Sequence, residues 1–166
     1  MTLHLHALGH FHPENEITNR FLEGLDIGTN DEWILDRVGI RSRRTVLSLD
    51  YIRETRNRDL RAAAEAAQYT TSELSARAAE LAIARAGIDR SAIGLVLSGS
   101  SASDSQCPAD ATWLARHLGL QVPAFDVNSA CTSFLAELHL LSMLDPAKVP
   151  DFVLVAGVDA VTPRGS

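Results

Sequence analysis

The run Ala124-Phe125-Asp126-Val127-Asn128-Ser129-Ala130-Cys131-Thr132-Ser133-Phe134 decides the reading of this chain. Residues 124–127 are a short, mostly apolar stretch of strand character. From about residue 130 to 144 the pattern becomes that of an amphipathic helix. Cys131 therefore falls at a strand-to-helix turn, beside backbone N–H groups without intrahelical partners and at the positive end of a helix dipole. That setting favours the thiolate, the form that attacks acyl groups. The competing reading is a small buried hydrophobe at a tight junction, because cysteine is among the most often buried residues.

Outward from this run, helix and strand alternate. Residues 71–86 read as a helix opened by Thr71-Ser72-Glu73 and closed by Gly87, with Leu74, Ala78, Leu81 and Ala82 as the face expected to pack on a sheet. Residues 93–100, Ile-Gly-Leu-Val-Leu-Ser-Gly-Ser, read as a buried strand running into a small-residue loop. A helix over 109–118, the strand at 124–127, the helix after Cys131 and an apolar strand over 151–157 complete the order α, β, α, β, α, β. Such an order predicts an α/β fold with a mostly parallel sheet covered by helices on both faces.

The first 70 residues are less regular. Residues 3–8 alternate apolar residues with histidine and predict a strand. His4, His6, His10 and His12 are then expected to face solvent rather than bind a metal, having no cysteine or paired carboxylate beside them. Residues 17–25 suit a short helix capped by Thr18 or Asn15. Thr29-Asn30-Asp31 offers cap chemistry for a helix over 32–38 stopped by Gly39. Arg37, Arg41, Arg43 and Arg44 form a basic cluster. Residues 45–70 are heavily charged and are expected to be a surface excursion.

The chain has 166 residues, 46% apolar and 22% charged, which suits one well-buried domain rather than disorder. Fifteen basic against 21 acidic residues give a formal charge of −6, which argues against a general nucleic-acid surface. The two cysteines, Cys107 and Cys131, suggest a reducing compartment rather than a disulfide framework. No signal peptide is seen, and no apolar run approaches the roughly 20 residues that span a bilayer. The expectation is a soluble cytoplasmic protein with no membrane partner.

A cysteine that accepts an acyl group also needs oxyanion donors and a group to manage protons or carbanion charge. The Cys131 N–H supplies part of the first need. For the second, histidine is the usual choice, yet His139 is about 12 Å further along the same helix at 1.5 Å per residue. His117 has no spacing relation to Cys131, so both are expected to be structural or surface residues. Read from its residues alone, the chain has a nucleophile without its partners.

Two motifs change that position. Gly28-Thr29-Asn30-Asp31-Glu32-Trp33-Ile34, followed by Arg37-Val38-Gly39-Ile40-Arg41-Ser42-Arg43, resembles a signature near the N-terminus of β-ketoacyl-acyl carrier protein synthase III enzymes. Pro123-Ala124-Phe125-Asp126-Val127-Asn128-Ser129-Ala130-Cys131 with its helix resembles the family's nucleophile segment. Asn15-Glu16-Ile17-Thr18-Asn19 and Val155-Ala156-Gly157-Val158-Asp159 fit the same pattern in order and spacing, so the resemblance covers nearly the whole chain.

The resemblance implies a thiolase-like fold, of which residues 1–166 would be the N-terminal half-domain within a five-layer αβαβα unit, usually a dimer. It implies that an acyl group passes from acyl-CoA to Cys131 and is condensed with malonyl-acyl carrier protein, with loss of carbon dioxide. No permanently bound cofactor is implied. Trp33 would stack on the adenine of CoA, with Thr29 and Arg37 near the same nucleotide. The arginines would attract the phosphopantetheine arm of the carrier protein, and Arg164 would be a further CoA contact.

The departures carry expectations of their own. The family's catalytic histidine and asparagine and its glycine-rich oxyanion loop belong to the C-terminal half, so this chain is expected to be a fragment, one half of a split enzyme or a piece of a processed polypeptide. Pro163-Arg164-Gly165-Ser166 also resembles an engineered protease-site remnant. Cys107, before Pro108, stands where the family often has a bulky residue limiting the partner subunit's acyl pocket, which predicts acyl chains longer than acetyl. The long charged stretch at 45–70 suggests a branch serving secondary metabolism. Plain acyl transfer to an alcohol or amine, and a non-catalytic structural half-domain, are the alternative functions.

Overall fold

The computed structural model of the chain describes residues 3–161. The chain folds as two compact units, residues 3–11 with 70–159, and residues 12–69 with 160–161.

In the second unit, β1 (Asn15–Thr18) pairs antiparallel with β2 (Ser42–Thr45), Asn15 opposite Thr45 and Thr18 opposite Ser42. Helix α1 (Asn19–Glu23) follows β1 directly, with the Thr18 hydroxyl accepting from the Phe21 N–H. The short helix expected over 17–25 is thus shared between a strand and a single helical turn. Helix α2 (Asp31–Val38) has the ends its sequence predicts. Asn30 caps the Trp33 N–H, and Gly39 closes the helix at φ 69°, a left-handed conformation that glycine enters without a Cβ penalty.

Residues 45–70 are not the expected surface excursion. They form the end of β2, α3 (Leu49–Thr55) and α4 (Leu60–Ala66), and their apolar residues Leu47, Ile52 and Ala63 are buried with Ile17 and Leu25. The charges that suggested a solvated loop are exposed on these two short helices and on the turn between them.

In the first unit, β3 (Ile93–Gly99) is the central strand of a parallel sheet ordered β4-β3-β5, with β4 (Ala124–Asp126) and β5 (Phe152–Gly157) on its flanks. The period-2 alternation of β3 sends its side chains to two cores. Val96 packs with Ala76 and Ala79 of α5 (Thr71–Ala86) and with Ala111, Leu114 and Ala115 of α6 (Asp110–His117). Leu95 and Leu97 face the other way, against Leu141 of α7 (Ser133–Met143). Ile93 shares the Val96 face because the register slips between Ile93 and Leu95. The extra residue there is Gly94, whose Cβ would stand 2.5 Å from the Pro150 side chain. The parallel sheet covered on both faces is as the alternation predicts.

Two details differ. Residues 3–8 form no strand; they lie extended along α5, where Arg85 donates to the Leu8 carbonyl at 2.9 Å and His6 pairs with the Ala86 carbonyl at 3.3 Å. Gly9 permits the approach, since a Cβ there would sit 2.0 Å from the Ala78 carbonyl. His4, His6, His10 and His12 are all exposed. This contact also explains the second difference. The residues that α5 buries are Leu74 of the predicted set together with Thr71, Ser72, Ser75, Ala76 and Ala79, while Ala78 and Ala82 of that set meet Gly9 instead. Among the described residues no helix is long and apolar enough to cross a membrane.

Candidate active site at the carboxyl end of the parallel sheet

Because β3, β4 and β5 run the same way, the segments leaving them (Ser100–Ser101, Val127–Thr132 and Val158–Asp159) gather at one edge, where open α/β sheets bind ligands. Pairing runs just past the strands, with the Val127 N–H donating to the Ser98 carbonyl at 2.9 Å and Val158 to Gly99 at 3.1 Å. Gly99 is the seat of the site. A Cβ there would lie 2.4 Å from Ser133 Cβ and 2.8 Å from the Val127 carbonyl oxygen, so only a bare Cα lets the start of α7 settle on the sheet.

Cys131 is exposed and lies in a single 3-10 turn, Ala130–Thr132, immediately before α7. The expected helix start is therefore displaced: α7 itself begins at Ser133. The turn is held internally. Ser133 Oγ accepts from the Ser129 N–H and donates to the Ala130 carbonyl, each at 2.8 Å, and the Thr132 hydroxyl donates to the Ser129 carbonyl at 2.8 Å. Ala130 takes φ 48°, a left-handed conformation for a residue with a Cβ, at a cost of about 1–2 kcal/mol. No side chain caps either the 3-10 turn or α7.

A relay of carboxylates braces this edge. Asp126, the last residue of β4, accepts from the Asp110 and Ala111 N–H groups at 3.0 and 2.8 Å and so caps α6. The buried Asp110 carboxylate accepts from the Asp104 N–H, and Asp104 caps α5 through the Thr71 and Ser72 N–H groups, both at 3.0 Å. Burial raises the pKa of Asp110. Glu137, on the α7 stripe of Ser133, Glu137 and Leu141 that is buried, is 0% exposed and neither carboxyl oxygen has a partner. Desolvation, aided by the Asp126 charge, pushes its pKa up to about 8.

His117 and His139 are both exposed. His117 ends α6, whose opposite end is the one capped by Asp126, about 12 Å away for an eight-residue helix. Neither histidine is brought to Cys131. Cys107 is exposed on the loop between β3 and α6.

In the second unit, Trp33 is 54% exposed on α2, and the Arg37 guanidinium lies 5.8 Å from its ring centroid. The i, i+4 spacing puts both on one face. The Thr29 hydroxyl is buried without a partner. The basic cluster is less available than its sequence suggests. Arg43 donates to Asn19 Oδ1 at 3.2 and 3.3 Å, and Arg44 donates to the Glu14 carbonyl and pairs with Glu16. Asn19 is the residue that reading the sequence missed. Buried, it donates to Asp31 at 2.8 Å and to the Ile40 carbonyl at 2.7 Å, tying Asn15–Asn19 to the Gly28–Arg43 motif. Arg164 lies outside the described residues.

No family model matches the chain. Its fold is that of thiolase-like condensing enzymes over the part it shares with them. It superposes with TM-score 0.76 on 3-oxoacyl-[acyl-carrier-protein] synthase III from Aquifex aeolicus VF5, at 25% identity over 94% of this chain and 44% of that one. The enzyme of the same name from Pseudomonas aeruginosa PAO1 gives TM-score 0.74 at 31% identity, over 94% and 42%. The curated relatives are more particular: 30% identity over 95% of this chain to β-ketoacyl-[acyl-carrier-protein] synthase III of Coxiella burnetii, and 34% over 96% to that of Nitratidesulfovibrio vulgaris. This chain is similar to the synthase III family, in a way that fits its N-terminal half, and it spans 44% and 43% of the length of those two relatives.

Proposed function

We propose that residues 1–166 are the nucleophile-bearing half-domain of a β-ketoacyl synthase III-like acyltransferase. The observation that carries the reading is the exposed Cys131 in its strained turn at the carboxyl end of the parallel sheet, in a chain similar to synthase III along 95% of its length. The Cys131 sulfur attacks the thioester carbonyl of acyl-CoA, the carbon–sulfur bond to CoA breaks, and CoA leaves as its thiol. Loss of carbon dioxide from malonyl-acyl carrier protein then generates the carbanion that attacks the acyl-cysteine, releasing a β-ketoacyl product and the free thiol. The N–H groups at the uncapped start of α7 suit a developing oxyanion. Trp33 and Arg37 offer an indole face for adenine and a guanidinium for phosphate, with Thr29 beside them. Cys107 leaves room for an acyl chain longer than acetyl in a partner subunit of the homo-oligomer.

The histidine and asparagine that the resemblance requires for decarboxylation would come from a complementary C-terminal half. A feature of α7 supports such a partner. Leu135 and Met143 are 65% and 64% exposed on this helix, whereas its buried stripe includes Ser133 and Glu137. A helix apolar on its outer face belongs between two layers.

Intact-protein mass spectrometry before and after octanoyl-CoA tests the reading. An octanoyl adduct that is lost in Cys131→Ala is the expected result. A chain that never acylates, even with the complementary half supplied, would refute it.

A further inference from the structure

We propose that Asp159 is a positioning residue for Cys131, acting through the loop that leaves β3; the proposal rests on the acyl-transfer reading and deepens it. One oxygen of Asp159, Oδ1, gathers three donors: the Ser101 N–H at 2.6 Å, the Ser101 hydroxyl at 2.8 Å and the Ser100 hydroxyl at 3.0 Å. The direction of the Ser100 bond is fixed, because a carboxylate oxygen only accepts, and the same hydroxyl accepts in turn from the Ala102 N–H at 2.9 Å. Ser100 in turn donates its backbone N–H to Asn128 Oδ1 at 2.9 Å. Asn128 stands three residues before Cys131, at the entrance of the strained turn.

The chain of contacts therefore crosses the sheet edge from the end of β5 to the end of β3 to the segment leaving β4, ending at Asn128, three residues before Cys131. Both links are hydrogen bonds of 3.0 Å or less, and Ser100, the residue between them, is buried at 5% exposed. Gly99 sets the depth of the turn through its contact with Ser133; Asp159 sets its direction through Ser100 and Asn128. Asp159 touches no reacting atom in this arrangement. Its part is to hold the loops so that the Cys131 sulfur and the N–H groups at the start of α7 keep a common geometry, and a displacement of about 1 Å in such a site costs up to a hundredfold in rate.

The test uses the full chain as wild type, Asp159→Ala and Asp159→Asn, with two readouts. Hydrogen exchange is followed in the peptide covering residues 127–133, with residues 71–86 as an internal reference. Cys131 acylation is followed by mass spectrometry over a range of octanoyl-CoA concentrations. Asp159→Ala is expected to speed exchange in 127–133 about tenfold, to leave 71–86 unchanged, and to slow acylation at saturation about tenfold without moving the half-saturating concentration. Asp159→Asn keeps an Oδ1 acceptor and is expected to retain most of both properties. Unchanged exchange in 127–133, or faster exchange with a wild-type acylation rate, would overturn the proposal. So would an asparagine variant as impaired as alanine, since that would assign the effect to charge. If wild type itself fails to acylate, the acyl-transfer reading falls, while the exchange arm still decides whether Asp159 holds the turn.

Discussion

Removing the carboxyl of Glu137 should abolish most of the pH dependence of stability between pH 5 and pH 8. In the unfolded chain this group ionises near 4.5; in the folded chain it is pushed up to about 8. Between those values the folded state holds a proton that the unfolded state has released, so stability is fully present below the unfolded value and is lost as pH rises towards 8. At 1.36 kcal/mol per unit the window amounts to on the order of 5 kcal/mol, about 3 of it spent by pH 7. With a urea slope of about 2 kcal/mol per molar, the wild-type midpoint should fall by roughly 2 M between pH 5 and pH 8. Glu137→Met fills a similar volume with no group to ionise, so its midpoint should be nearly flat and should exceed that of wild type at pH 8. Asp110, whose pKa is also raised by burial, leaves a residual slope of the same sign. Urea titrations at several pH values decide the matter. A Glu137→Met variant with the wild-type slope would refute the claim that this carboxyl is neutral and unpaired in the fold.

Other outcomes follow from single contacts. Asp126→Ala strips two N–H partners from the start of α6 and should cost about 1–2 kcal/mol in thermal or chemical unfolding, with Asp126→Asn milder. Asn19→Ala leaves the Ile40 carbonyl and Arg43 without their buried partner and should cost about 2–3 kcal/mol, seen as faster hydrogen exchange across residues 15–45. Trp33→Ala should raise the half-saturating octanoyl-CoA concentration about tenfold, equivalent to about 1.4 kcal/mol of lost stacking, with the saturated acylation rate of Cys131 unchanged; a lower saturated rate would move Trp33 from binding to chemistry.

What could be read in the sequence was what is encoded locally. Asn30 and Gly39 bracket α2 because a cap and a left-handed stop act within one turn of the residues they terminate. Strand β3 was legible because a seven-residue strand buried on both faces leaves a continuous apolar run. Cys131 was legible because a strand and a helix pointed at it from either side. The misreadings have a common cause in contacts remote along the chain. The alternation at residues 3–8 has the period of a strand, but its partner is helix α5: Arg85 holds the segment from the helix side, and Gly9 lets it approach. Leu47, Ile52 and Ala63 fit no single period because they lie in the bend after β2, on α3 and on α4, which meet in one core. The pairing of Ser100 and Ser101 with Asp159 spans almost 60 residues and leaves no local mark, and neither does that of Asp104 with Thr71 at the start of α5, 33 residues apart.

The polarity of α7 joins these threads. Against its own sheet this helix buries Ser133, Glu137 and Leu141, and outward it turns Leu135 and Met143. A surface helix is arranged the opposite way, with its apolar stripe inward. Ser133 has a reason to be inside: its hydroxyl closes the Cys131 turn, and its small side chain is what Gly99 can accommodate. Leu141 has one too, as the contact of Leu95 and Leu97. Glu137, between them, gains neither a hydrogen bond nor apolar area from its burial. Cys131 thus sits at the head of a helix whose outer face is apolar and whose inner face holds a carboxyl without a partner. A covering layer would bury Leu135 and Met143, would deepen the desolvation of Glu137, and should therefore carry the loss of stability on to pH values above 8 when such a layer is bound.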